Sequence, residues 1–93
     1  MYEIHTNKKF RTAYKRLAKS GNFKDKEFNE IIKSLENGEE LPERYHDHIL
    51  KGNLLGQREC HITGDILLIY ETDNADKIVR LLNIGNHAQL FES

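Results

Sequence analysis

Phe10, Ala13, Tyr14 and Leu17 recur at positions i, i+3, i+4 and i+7, with lysines and arginines filling the gaps. That spacing predicts an amphipathic helix with a basic outer face. Thr6 or Asn7 can cap its start, and Gly21 stands where a helix stop is expected. Phe28, Ile31, Ile32 and Leu35 repeat the period in a second helix, which Asn37-Gly38 ends. The two helices are expected to pack as an antiparallel pair. Ahead of them, residues 2–5 can form a short strand.

After Pro42 the period drops to two. Residues 55–62, "LGQRECHI", alternate, with Arg58, Cys60 and Ile62 on one side and Gln57, Glu59 and His61 on the other. Residues 63–65, "TGD", supply the glycine of a tight hairpin. Residues 66–70, "ILLIY", are apolar on both faces and read as a central strand. "DNAD" at 73–76 makes a second turn, and residues 78–84 a third consecutive strand. The tail "HAQLF" returns polar and aromatic groups to the sheet. The expected fold class is α+β: a short N-terminal strand, an antiparallel helix pair, then a three-stranded antiparallel meander.

Ninety-three residues suffice for one modest core, so residues 1–93 are read as a single domain. With 38% hydrophobic and 31% charged residues, the composition is that of a folded globular chain. No apolar run approaches the roughly 20 residues of a membrane span. The opening "MYEIHTNKKF" lacks a secretory core, which points to the cytoplasm. Cys60 is alone, which excludes an intrachain disulfide and a multi-cysteine zinc site; it is read as a buried filler.

The net charge of −1 conceals a segregation. Lys8, Lys9, Arg11, Lys15, Arg16, Lys19, Lys24 and Lys26 face only Glu3 and Asp25 within residues 1–26, whereas residues 27–48 are strongly acidic. A one-sided basic segment suits nucleic acid or an acidic protein, although a pair of solvated helices would give the same pattern.

Three histidines and an aspartate are the candidates for chemistry. His61 ends one strand and Asp65 begins the next, so the hairpin draws them together. If the third meander strand pairs with the second, its far end carries His87 to the same edge, and His48 can join from the preceding loop. His5 and His46 are not grouped with them and are assigned no role. A zinc site is one option, but these residues spread over about 40 positions without HxH or HxxxH spacing. Acid–base chemistry is the other, since imidazole titrates nearest neutrality. RNA suits such a site, because its own 2′-hydroxyl can serve as nucleophile. Lys51 or Arg58 could supply positive charge, and Phe91 a surface for an unstacked base.

The segments "YHDHILKG", "RECHITGDILLIY" and "GNHAQLF" resemble, in order and spacing, the three motifs of YafQ-type toxins of the RelE/ParE toxin–antitoxin superfamily. The resemblance spans essentially the whole chain. It implies a RelE-like small domain that cuts messenger RNA in the ribosomal A site and is neutralised by a cognate antitoxin in a hetero-oligomer. On the resemblance, His48, His61, Asp65, His87 and Phe91 occupy catalytic positions. The implied reaction needs no metal or cofactor and leaves a 2′,3′-cyclic phosphate and a 5′-hydroxyl. Lys8, Lys9, Arg11, Lys15 and Arg16, with Lys51 and Arg58, are the expected RNA contacts. The competing expectation is a non-catalytic scaffold: a ParE-like gyrase inhibitor, or an inactive homologue that binds only its antitoxin.

Overall fold

The computed structural model describes residues 1–21, 23, 25–51 and 56–91. Strand β1 (Glu3–Thr6) leads into helix α1 (Lys8–Lys19) and then α2 (Asp25–Glu36). The Asn7 side chain accepts a hydrogen bond from the Phe10 N–H and caps α1. Gly21 adopts a left-handed φ of 79° just beyond α1, and Gly38 one of 69° just beyond α2. A short 3-10 turn (Glu43–Tyr45) precedes β2 (His48–Ile49), β3 (Arg58–Thr63), β4 (Ile66–Asp73), β5 (Ile78–Asn86) and a five-residue helix, α3 (His87–Phe91).

These strands form one sheet in the order β1-β5-β4-β3-β2. The expected meander is present as antiparallel β3, β4 and β5. Two features add to it. β1 lies parallel to β5, from Glu3 opposite Ile78 to Thr6 opposite Leu81, and β2 makes a two-residue edge against β3. The start anticipated for the first meander strand, Leu55, lies outside the described residues, and β3 is seen from Arg58.

The helices cover one face of the sheet. Phe10, Leu17, Phe28, Ile31 and Leu35 pack there against Cys60, Ile62, Ile66, Leu68, Tyr70, Val79, Leu81 and Ile84. α1 and α2 meet through aromatic rings, with Phe10 and Tyr14 lying 6.3 and 5.2 Å from Phe28. Cys60 sits wholly inside this core, where burial pushes its thiol well above the ordinary value; it is the filler that its strand position suggested.

Strand alternation sends the intervening residues to the opposite face: Glu59 and His61 from β3, Leu67 and Ile69 from β4, Asn83 and Gly85 from β5. That face carries the candidate chemistry.

Candidate active face

At one corner of this face, β2 brings His48 directly opposite Glu59. Glu59 is only 7% exposed, and among the described residues it is the one charged side chain that is buried. Its Oε1 lies 3.2 Å from His48 Nε2, while His48 Nδ1 lies 2.7 Å from the His46 carbonyl oxygen. Both neighbours of this imidazole are acceptors, and its contact with Glu59 is an ion pair when the ring is protonated.

His61, two residues beyond Glu59 on the same face, adds a second imidazole, its ring centroid 6.4 Å from that of His48. His46 comes closer still, edge-on to His61 at 5.5 Å. His46 ends the 3-10 turn with a left-handed φ of 49°, and its N–H returns to the Glu43 carbonyl. That conformation, uncommon for a side chain other than glycine, turns the chain into β2.

The second group stands across the sheet. His61 pairs with Leu67, and Leu67 with Gly85, so β3 and β5 are two strand spacings apart, about 10 Å. Ile66 opposes Asn86, which brings the exposed Asp65 of the Gly64-Asp65 turn to the sheet end from which α3 departs. α3 carries His87 and Phe91 on successive turns, with ring centroids 5.0 Å apart. His87, Phe91 and Asp65 thus share one end, and His48 and His61 stand nearer the β2 side. His5 lies on the far edge strand against Glu3, 3.1 Å away, remote from both groups.

Three expectations change. His46, given no role from sequence, belongs to the His61 cluster. Glu59, the buried acid of the cluster, was not among the candidates, although its alternation with His61 on β3 already put the two on one face. Arg58 is not with the histidines. It lies on the helix-covered side, where Nε and Nη2 hold Asp47 at 3.2 and 2.9 Å, and Tyr70 donates its hydroxyl proton to the same carboxylate. Those hydrogen bonds keep the guanidinium pKa above its ordinary value, so its charge is committed to Asp47.

The other expected cations are solvent-facing. Lys8, Lys9 and Arg16 rim a groove of about 500 Å³ whose far wall includes Asn83 and Gln89. Arg11 is turned back onto the Thr6 carbonyl and hydroxyl, and Lys15 and Lys51 are exposed. Among the described residues, no set of three or more His, Cys, Asp or Glu side chains is disposed to hold a metal ion.

The histidine-bearing sheet backed by two helices belongs, by comparison with known proteins, to a class of bacterial toxins. Residues 2–92 match the family described as bacterial toxin of type II toxin–antitoxin system, YafQ, and the chain belongs to that family. It is 52% identical over 54 residues to the putative toxin YafQ of Haemophilus influenzae, covering 54% of this chain and 53% of that protein. It is 43% identical over 51 residues to the mRNA interferase toxin YafQ of Escherichia coli strain K12, covering 55% and 53%. The matched stretch spans about half the length of each of these curated relatives. Among solved structures, a metal-bound toxin from Helicobacter pylori superposes with a TM-score of 0.89 at 36% identity, covering 98% of this chain and 100% of that one. The toxin in the E. coli DinJ–YafQ complex gives 0.83 at 29% identity, covering 98% and 99%.

Proposed function

We propose that this protein is a ribosome-dependent endoribonuclease that cuts messenger RNA in the A site and is held inactive by a cognate antitoxin. The observation that carries this reading is the shared sheet face opposite the helices, with the His48–Glu59–His61 group on one side and His87 with Phe91 two strands away. A phosphodiester with hydrogen bonds of about 2.8 Å on either side fits that separation. The E. coli relative named as an mRNA interferase and the DinJ-bound E. coli toxin favour the same activity and the same kind of partner. Such work belongs in the cytoplasm, and no described helix is long and apolar enough to cross a membrane.

In this mechanism the RNA supplies the nucleophile. One imidazole of the His61/His87 pair takes the 2′-hydroxyl proton as the 2′-oxygen attacks phosphorus. The other delivers a proton to the 5′-oxygen as the P–O5′ bond breaks. The products are a 2′,3′-cyclic phosphate and a 5′-hydroxyl. Each proton transfer contributes roughly 10² to 10⁴ in rate. The His48–Glu59 pair, beside His61, supplies or stores a proton and offsets charge at the phosphate. Asp65 supports the pair electrostatically, and Phe91 stacks on a base next to the cut. Lys51 and the exposed face of α1, through Lys8, Lys9, Lys15 and Arg16, meet RNA phosphates; Arg58, bound to Asp47, braces the loop that carries His46 and His48. No step is routed through a metal.

The test is primer extension on a defined message in a reconstituted bacterial translation reaction, with wild type and His87→Ala, each with and without prior EDTA treatment. Cleavage at the A-site codon by wild type alone, unchanged by EDTA, is expected, with a loss of about 10² to 10⁴ in His87→Ala at an unchanged melting temperature. Cleavage abolished by EDTA would bring in a metal and end the metal-independent scheme. No cleavage by folded wild type would leave a binding-only scaffold, to be tested on DNA gyrase.

A further inference from the structure

α3 has five residues, far fewer than the roughly 12 to 15 at which an isolated helix becomes even marginal. None of its residues is buried. Apart from the half-buried Leu90, its specific hold on the sheet lies at its first turn. There the Asn86 side-chain carbonyl accepts the Gln89 N–H at 2.8 Å, and the Gln89 side-chain carbonyl accepts the Asn86 N–H at 2.8 Å. This reciprocal pair is a capping box, with the capping residue at the last position of β5 and its partner three residues on. Each bond closes one backbone donor that would otherwise lack a partner at the helix start.

Gly85 makes the closure possible. A Cβ there would meet Gln89 Oε1 at 2.6 Å and Gln89 Cβ at 3.3 Å, so the glutamine lies directly on the glycine backbone. Gln89 therefore occupies a seat that any larger residue at 85 would obstruct. It points to strand β5, while His87 and Phe91, two residues to either side of it, are left to face each other.

We propose that Gln89, with Asn86 and Gly85, is the positioning element of the active face: it fixes the direction of α3 and thereby the placement of His87 and Phe91 relative to His61. Gln89 touches neither reacting atom. The proposal rests on the endoribonuclease reading above for its catalytic readout, but the box itself can be measured without it. An error of about 1 Å in such a placement costs on the order of 10²-fold in rate.

The experiment compares wild type, Gln89→Ala and Gln89→Glu by amide hydrogen exchange and by single-turnover cleavage of ribosome-bound message at several enzyme concentrations. Gln89→Ala is expected to exchange its Asn86 amide at least roughly tenfold faster and to cleave about 10- to 100-fold more slowly at saturation, with the half-saturating concentration unchanged. Gln89→Glu keeps the acceptor and is expected to restore both to within a few-fold. Three results overturn the proposal. They are Asn86 exchange unchanged in Gln89→Ala, a fast-exchanging variant that cleaves at the wild-type rate, and a glutamate variant that protects Asn86 without restoring cleavage. If wild type cleaves nothing, the functional reading fails by itself; the exchange data then decide the box, and an unprotected Asn86 removes it.

Discussion

Two carboxylates, the partly buried Asp47 and the buried Glu59, are treated in opposite ways. Asp47, on the helix-covered side, is gripped by the Arg58 guanidinium and the Tyr70 hydroxyl. Glu59, on the open face, meets His48. The first partner is a guanidinium, a fixed cation, whereas the second is an imidazole, a side chain able to donate or accept a proton. A carboxylate clamped by a guanidinium and a phenol is a structural tie. One that faces an imidazole at 3.2 Å, beside two further imidazoles, stands where a proton can be handed on. Residue type does not separate the two; the chemistry of the partner does.

The largest expected effect is on the open face. Glu59→Gln keeps shape and a carbonyl acceptor but cannot take up a proton, so cleavage should fall on the order of 10²-fold with the melting temperature little changed. Full activity in a folded Glu59→Gln protein would erase the distinction. Asp47→Ala should do the reverse. It strands a buried phenol and a half-buried guanidinium and should lower stability by about 1 to 3 kcal/mol, less than a fully buried pair would cost because Arg58 keeps 33% side-chain exposure. Urea titration measures it, and an unchanged midpoint would mean that the tie carries no weight.

Tyr70→Phe should have the smallest effect, about 1 kcal/mol at neutral pH. It sharpens the comparison through pH. Burial, then the hydrogen bond to Asp47, raises the Tyr70 phenol far above its ordinary value of 10.0. The unfolded chain therefore releases this proton first, and the stability that the neutral phenol contributes is present below pH 10 and declines above it. Cys60, also raised by burial, adds to the same decline from about pH 9. Wild type should lose stability between pH 9 and 11, and Tyr70→Phe should show a shallower loss in circular-dichroism melts. Parallel profiles would assign the alkaline loss elsewhere.

The helices were legible because their apolar residues repeat at helical spacing, with Asn7 and the two left-handed glycines at their ends. β3, β4 and β5 were legible because alternation and turn residues agree. The candidate face was legible only in part: the meander brings Asp65 and His87 to one end, as expected, but leaves His61 two strands away rather than beside Asp65. His46 was not legible, because its neighbourhood depends on a left-handed bend that residue type does not announce. Arg58 was misread for a related reason. Alternation put it opposite His61, but it was considered for its charge rather than for its face.

The sequence by itself determined the local periods, the place of the hairpin turn and the two faces of β3. These depend on near neighbours and on side-chain alternation. Tertiary structure alone decided that β1 runs parallel to β5, that β2 delivers His48 onto Glu59, and that Gln89 folds back on Gly85 to set α3. Each joins segments through backbone pairing or a close approach whose partners carry no mark in the local pattern, so only the closed sheet selects them.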